Sequence, residues 1–458
     1  MPTPSPMFFV TIVNIGFMLL VIFVQRRNSA ATWAWVAAIA LVPIGGFIVY
    51  MIFGQDSRKQ KVFQKKSEDD ISLLATYQGL GANEGELTED NRVTLFHDGT
   101  TKFDALLNDI ANAKDFIFVQ YYIFRGDEVG QQLVEALAKR AAEGLEVRLL
   151  VDGMGCQFTN KEIFRPLVDA GGFFALFMPP VPVRINFRNH RKLVVIDGHL
   201  AYLGGSNIGK EYLGKSQRFG EWRDTHMRLT GGAVAPLALR FIMDWNFAVP
   251  FKNMGTIEKM APSPEYFPGG ISHPVPGAKI AIVSSGPDTR YPNVLHEFVD
   301  MIMTAKKSIY IQSPYFVPCD TLDTALRIAA LKGVDVRIMY PANPDHPFVY
   351  WAGSSYVGEL MCAGVKGYEY TRGFTHAKTL MVDSKMCAVG TANMDVRSFK
   401  LNFETHAFIQ DAAITTELEE AFRRDMEDCK ALTLEDYNQR PRMTKIKESI
   451  SRLFSPLI

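Results

Sequence analysis

The sequence carries no net charge, because 49 Lys and Arg balance 49 Asp and Glu over 458 residues. A protein built chiefly to hold nucleic acid shows a basic excess, and this one does not. Cysteine is scarce. Cys156, Cys319, Cys362, Cys387 and Cys429 form no CxxC pair, which argues against a disulfide scaffold or a zinc site and fits a reducing compartment. Neither HExxH nor GxSxG occurs, so metalloprotease and α/β-hydrolase readings have no support. With 47% hydrophobic and 21% charged residues, wholesale disorder is excluded as well.

Charge is also missing locally. Phe8 to Val24 has none, and after Gln25-Arg26-Arg27-Asn28 a second uncharged run extends from about Ala30 to Phe53. A bilayer core of ~30 Å needs about 20 helical residues, so the two runs predict a transmembrane helical hairpin over 1–55. Met1 to Met7 lacks the cations of a signal peptide. Arg26 and Arg27 lie in the turn, and Arg58, Lys59, Lys61, Lys65 and Lys66 lie in a basic juxtamembrane linker over 56–80. The positive-inside bias then predicts a multi-pass protein of the cell inner (plasma) membrane, with its large C-terminal body on the cytoplasmic side.

That body contains one pattern twice. Ala113-Lys114-Asp115-Phe116-Ile117-Phe118-Val119-Gln120 matches Ala305-Lys306-Lys307-Ser308-Ile309-Tyr310-Ile311-Gln312. Gly144-Leu145-Glu146-Val147-Arg148-Leu149-Leu150 matches Gly333-Val334-Asp335-Val336-Arg337-Ile338-Met339. Each stretch reads as a helix end running into a short apolar strand, which predicts βαβ units and a parallel or mixed sheet. The first copy is placed at 81–255 and the second at 278–435, joined by a Pro/Gly-rich link. Over 436–458, Met443, Ile446, Ile450, Leu453, Phe454 and Leu457 recur at three- and four-residue steps. This is an amphipathic segment suited either to a bilayer surface or to the protein's own surface.

The copies agree most closely where chemistry is concentrated. His190, Lys192, Asp197 and Asn207 recur at identical spacing as His376, Lys378, Asp383 and Asn393. Strand periodicity turns each His and its Lys to one face. Asp197 and Asp383, at an odd offset and at turns, should face away and support the fold. Downstream, Asp224-Thr225-His226 aligns with Glu404-Thr405-His406. An acid that accepts from an imidazole fixes its tautomer, so Asp224 is expected to orient His190 and Glu404 to orient His376, with Glu221 as the alternative in the first copy. His226 and His406 are read as supporting residues. Paired imidazoles, lysines and asparagines suit an anionic phosphodiester. Cations and amides hold its oxygens, one His attacks phosphorus, and the other manages the proton of the leaving alcohol. Zinc is a poor reading, because each His has a Lys beside it. Gly209 to Ser216 fits the GxxxxGK[ST] pattern, but no apolar helical period follows it, and it is read as a chance match.

These doubled HxKxxxxD motifs resemble the phospholipase D superfamily of the two-motif, single-chain type. With Tyr121-Tyr122-Ile123-Phe124, Trp222-Arg223-Asp224-Thr225-His226 and Ser313-Pro314-Tyr315-Phe316-Val317-Pro318, the chain is more closely similar to the bacterial cardiolipin synthases. The resemblance implies two αβα sandwich domains with mixed sheets. It counts Asp197 and Asp383 with the catalytic His and Lys, and it assigns Lys192, Lys378, Asn207 and Asn393 to the phosphoryl oxygens. It further implies a phosphohistidine intermediate without metal or other cofactor, with His190 as nucleophile and His376 as general acid by analogy. The implied reaction condenses two phosphatidylglycerol molecules to cardiolipin and glycerol. Phospholipase D-type hydrolysis of phospholipid is the alternative. The implied partners are anionic phospholipid and the membrane, with no nucleic acid and with homo-oligomerisation left open.

Overall fold

The computed structural model describes residues 6–24, 29–53, 56–77, 84–179, 186–251, 254–261, 263–268, 277–453 and 455. Arg26, Arg27, Phe454, Leu457 and most of the Pro/Gly-rich link lie outside the described residues. The N-terminal region forms helices α1 (Pro6–Val24), α2 (Ser29–Leu41), α3 (Gly45–Phe53) and α4 (Asp56–Tyr77). The second hydrophobic run was expected to be one helix, but it is two, of 13 and 9 residues. Pro43 supplies no amide donor at the break, and Ile44 takes a left-handed φ of 64°. The chain turns there closely enough that a Cβ on Gly46 would sit 2.5 Å from the Ala38 carbonyl. α1 is uncharged over 19 residues, just short of the about 20 that a bilayer core needs. Among the described residues no helix is long and apolar enough to cross a membrane. The pieces still pack together: Phe17 stacks on Phe47, and the Asn14 amide donates to the Ile39 carbonyl at 3.0 Å.

The expected basic linker is in fact α4, and part of it belongs to the core. Phe63 is 1% exposed and packs against Phe187, Phe247 and Phe403. Lys66, expected among the cations flanking a membrane, is buried instead. Its Nζ lies 2.6 Å from Asp70, 2.8 Å from Asp288 and 3.4 Å from Asp244. Burial alone would lower its pKa, but these three carboxylates outweigh that and raise it.

The first half of the body contains β1 (Leu87–Asp98), β2 (Phe116–Tyr121), β3 (Glu146–Asp152), β4 (Phe173–Phe177), β5 (Arg188–Asn189), β6 (Leu193–Ile196), β7 (Leu200–Gly204) and β8 (Glu221–Thr230). The second half contains β9 (Ala278–Ser285), β10 (Ser308–Gln312), β11 (Phe316–Val317), β12 (Asp335–Pro341), β13 (Lys366–Tyr370), β14 (Gly373–Thr375), β15 (Thr379–Val382), β16 (Met386–Gly390), β17 (Met394–Asp395), β18 (Asn402–Gln410) and β19 (Cys429–Ala431). Strand order repeats. β4-β3-β2-β6-β7-β8-β1 is parallel through β2 and antiparallel thereafter. β13-β12-β10-β15-β16-β18-β9 repeats that order and those directions. β1 and β9 pair antiparallel, so the two sheets run on into each other.

Strand periodicity buries both faces. Phe116 and Phe118 point into the layer that holds the helix Val234–Ala248, while Ile117 and Val119 point into the layer of the helices Gly99–Ala111 and Glu128–Ala142. Each sheet therefore lies between helical layers, as an αβα sandwich requires. The layer behind Phe116 also contains Tyr310, Met381 and Phe422 from the second half, so one apolar core spans both copies.

Candidate active site

The halves exchange short strands at the site. β5 pairs parallel with β18, and the His190 amide donates to the Phe403 carbonyl at 3.0 Å. In mirror fashion β14 pairs with β8, and the His376 amide donates to the Arg223 carbonyl at 2.6 Å. Each catalytic-motif His is thus laid beside the acid of the opposite copy.

That exchange corrects the expected orienting pairs. His190 Nδ1 lies 2.9 and 3.0 Å from the two oxygens of Glu404, and His376 Nδ1 lies 2.8 Å from Asp224. The acids are those expected but their partners are swapped, because strand pairing rather than sequence order sets which acid each ring meets. Glu221, the alternative, is exposed and pairs with Arg372. In each ring Nδ1 is taken by the acid, so Nε2 is the nitrogen available for chemistry.

The surroundings tune these groups. Burial, followed by the charges of Lys192 and Lys378, holds His190 well below the ordinary imidazole range. Burial and Lys378 push His376 down to about 4 against the opposing pull of Asp224. Burial raises Asp224, but the His376 and Lys378 charges prevail and lower it, whereas Glu404 is raised chiefly by burial. Lys192 and Lys378 are 0% and 2% exposed, and each Nζ donates to the carbonyl of its own motif's His at 2.6 Å. Burial lowers Lys192 well below its usual range and Lys378 to about 8. Among the described residues neither ammonium has a carboxylate within salt-bridge distance. Two buried lysines without a direct ion pair, with carboxylates only at longer range, suit an anion.

Asn207 and Asn393 follow β7 and β16, beside the strands that carry the acids. Asn207 Oδ1 accepts from the Ile123 amide at 3.0 Å. Asn393 is 4% exposed, and its Oδ1 has no hydrogen-bond partner. Asp197 and Asp383 lie outside the site, which corrects their grouping with the catalytic residues and agrees with the supporting role read from spacing. Asp197 accepts from the amides of Lys114, Asp115 and Phe116, and Asp383 accepts from those of Lys306, Lys307 and Ser308. Both sit at positive φ, 52° and 55°, at the far end of the strand from the His. They tether that strand to its neighbour. His226 and His406 are buried behind Gly204 and Gly390, where a Cβ would meet their Nδ1 at 2.7 and 2.5 Å.

Sequence reasoning did not assign roles to several residues here. Tyr122 stands edge-on to His190 at 4.9 Å, with Lys192 Nζ 5.2 Å from its ring, and Trp222 packs on His376 at 5.2 Å. Gly205 leaves room for Asp224, because a Cβ there would lie 2.0 Å from Asp224 Oδ1. Its counterpart Thr391 donates to Glu404 at 2.5 Å. Behind His190, Asp244 receives Arg191 at 2.6 Å, Gln120 at 2.8 Å and Asn189 at 2.9 Å, and also faces Lys66. Arg191 has only Ala377 as its counterpart, so spacing alone offered little signal for this network.

Two copies of one sandwich, joined so that their His/Lys pairs share one site, define a phospholipase D-type protein. The family model described as "Cardiolipin synthase, PLD-like domain" matches residues 106–218 and 298–426. A second, "Phospholipase_D-nuclease N-terminal", matches 12–55. The chain belongs to the cardiolipin synthase family of phospholipase D-like proteins. It is 45% identical to a cardiolipin synthase of Listeria welshimeri and 44% identical to the major cardiolipin synthase ClsA of Bacillus subtilis, each match covering 98% of both chains. Its fold is similar to the crystal structure of phosphatidylserine synthase from Haemophilus influenzae (TM-score 0.62, 16% identity, 84% of this chain and 100% of that one).

Proposed function

We propose that the chain is a phosphatidyltransferase that condenses two phosphatidylglycerol molecules to cardiolipin and glycerol. The observation that carries this reading is the pair of imidazoles, each held at Nδ1 by the other half's acid, beside two buried lysines. His190 attacks the phosphorus through Nε2, and the bond to the leaving glycerol breaks as His376 protonates its oxygen. His376 then takes the proton of a second headgroup hydroxyl, which attacks phosphorus and frees His190. Lys192, Lys378, Asn207 and Asn393 hold the phosphoryl oxygens. The family's usual division of labour supports this assignment of the two His.

The membrane reading rests on exposed apolar surface. Phe8, Phe9, Ile12, Phe23, Trp33 and Leu41 on α1 and α2 are 51–82% exposed, and outward apolar side chains suit lipid. With Lys66 buried, Arg58, Lys59, Lys61 and Lys65 remain as the flanking cations of a cytoplasmic body. The helix Arg442–Leu453 adds to this: Glu448 and Ser451 are buried while Met443, Ile446, Ile450 and Leu453 face outward. That apolar stripe, among Arg442, Lys445 and Lys447, suits an anionic bilayer surface.

The test supplies labelled phosphatidylglycerol in detergent to the purified chain and resolves the lipid products. Cardiolipin that disappears in His190→Ala supports the reading. Predominant phosphatidic acid would mean hydrolysis and would overturn it.

A further inference from the structure

The duplication leaves the two halves nearly equivalent around phosphorus, so the hydroxyl-handling side must be distinguished by something the copies do not share. The second half has such a feature. A small, partly open hollow is lined by Tyr315, Phe316, Tyr340, Asp345, Tyr350 and neighbouring residues.

The hollow adjoins the catalytic centre through the backbone. Phe316-Val317 pairs with Met394-Asp395, the residues that follow Asn393. Ser313 Oγ ties the two segments, donating to the Tyr315 carbonyl at 2.7 Å and accepting from the Met394 amide at 3.0 Å. Asp345 is also within electrostatic reach of Lys378. The Tyr315 hydroxyl donates to Asp345 Oδ2, while Asp345 Oδ1 is buried without a hydrogen-bond partner. A buried carboxylate oxygen left unpaired is costly, and a hydroxyl of a ligand would satisfy it.

Among the described residues the corresponding part of the first half offers no such acceptor. Ile123 stands where the second half has Tyr315, and the loop after β3 reads Gly153-Met154-Gly155. Asp152, at the end of β3, is fully used: Oδ1 by the amides of Met154 and Gly155, and Oδ2 by that of Asn189.

We propose that this hollow is the subsite for the neutral polyol headgroup of the lipid, with Asp345 accepting from a glycerol hydroxyl and Tyr315 holding the carboxylate in place. The inference rests on the transferase reading above and deepens it. The leaving glycerol and the attacking headgroup occupy the same hollow in turn, because both reach phosphorus from the side opposite His190. Placing the hollow beside Lys378 makes His376 the imidazole that serves the alcohol. In the reverse step the glycerol hydroxyl gives its proton to His376 and bonds to phosphorus as the P–N bond to His190 breaks. A carboxylate repels a second phosphate, and the hydroxyls of a polyol offer it donors, so a hydroxylated group without a further phosphate fits here.

The test uses the full-length chain with free labelled glycerol as the probe and cardiolipin as donor, following label into phosphatidylglycerol. Asp345→Asn and Tyr315→Phe are each expected to raise the half-saturating glycerol concentration at least tenfold, and to increase the phosphatidic acid released in the forward direction. Tyr315→Phe keeps the ring, so it carries the test if Asp345→Asn does not fold. Unchanged glycerol saturation in the folded variants would overturn the proposal, as would a wild-type preference for ethanolamine over glycerol. A wild-type chain that forms no cardiolipin would instead strike at the transferase reading, a failure visible before any variant is made.

Discussion

Replacing Glu404 with Gln should abolish attack on phosphorus while leaving the fold intact. The Glu404 carboxylate receives His190 Nδ1 at 2.9 and 3.0 Å, Thr391 Oγ1 at 2.5 Å and Asn402 Nδ2 at 3.1 Å. Thr391 and Asn402 donate to different oxygens, so either orientation of a Gln amide places its NH₂ group against one of these donors. One hydrogen bond is then lost, at about 1–3 kcal/mol, together with the charge that stabilises an imidazolium or its phosphoryl adduct. Loss of an orienting carboxylate elsewhere costs up to about 10⁴ in rate, and at ~1.36 kcal/mol per decade the two effects together give about 10³–10⁴ here. Asp224→Asn acts instead on His376, the proton donor of the proposed mechanism. The assay is a stopped burst with a phosphatidyl ester of p-nitrophenol, whose departure needs no acid. Asp224→Asn should keep the burst and stall afterwards, whereas Glu404→Gln should lose the burst. Mass spectrometry of the trapped enzyme identifies the modified imidazole. Lipid on His190, with the burst lost in Asp224→Asn and kept in Glu404→Gln, would refute the crossed pairing.

Further outcomes follow from the same geometry. Gly205→Ala places a Cβ 2.0 Å from Asp224 Oδ1 and should cut turnover at least tenfold with little change in melting temperature. Lys378, pushed down to about 8 by burial, loses its charge as pH rises, so kcat/KM should fall above about pH 8; Lys378→Arg should move that limb upward by more than a unit. Lys66→Met leaves Asp70, Asp244 and Asp288 without their shared ammonium and should cost about 3–5 kcal/mol in thermal unfolding, while the exposed Lys65→Met should cost almost nothing. His97, pushed down to about 4 chiefly by burial, stays neutral where an unfolded His of about 6.5 takes up a proton. The unfolded state thus binds more protons between pH 6.5 and 4, and melting should show stability full above that window and falling as pH drops through it.

The parts of this molecule that repeat were readable in advance. Matched spacing located both His, both Lys and both Asn, and the odd offset of Asp197 and Asp383 placed them correctly at tethering turns. Short apolar runs after a helix end, Phe116–Val119 and Ser308–Ile311, revealed the strands. The exchange of β5 and β14 was not readable, because a two- or three-residue strand has no periodicity and its partner lies 214 or 152 positions away. The orienting acids were therefore right in identity and reversed in partner. α4 was hidden by its charge: Phe63, Lys66, Asp70, Leu73 and Leu74 lie at helical steps on one buried face, but two of the five are ionic and masked the amphipathic pattern. Pro43 lies within the second hydrophobic run, and run length alone does not show the break that it makes.

The most direct test is a crystal structure of the chain with vanadate, a mimic of pentavalent phosphorus. One vanadate should bond to His190 Nε2 with His376 Nε2 within hydrogen-bonding distance on the opposite side, Glu404 on His190 and Asp224 on His376. An anion that touches only one of the two imidazoles, or acids that pair with the His of their own half, would contradict it.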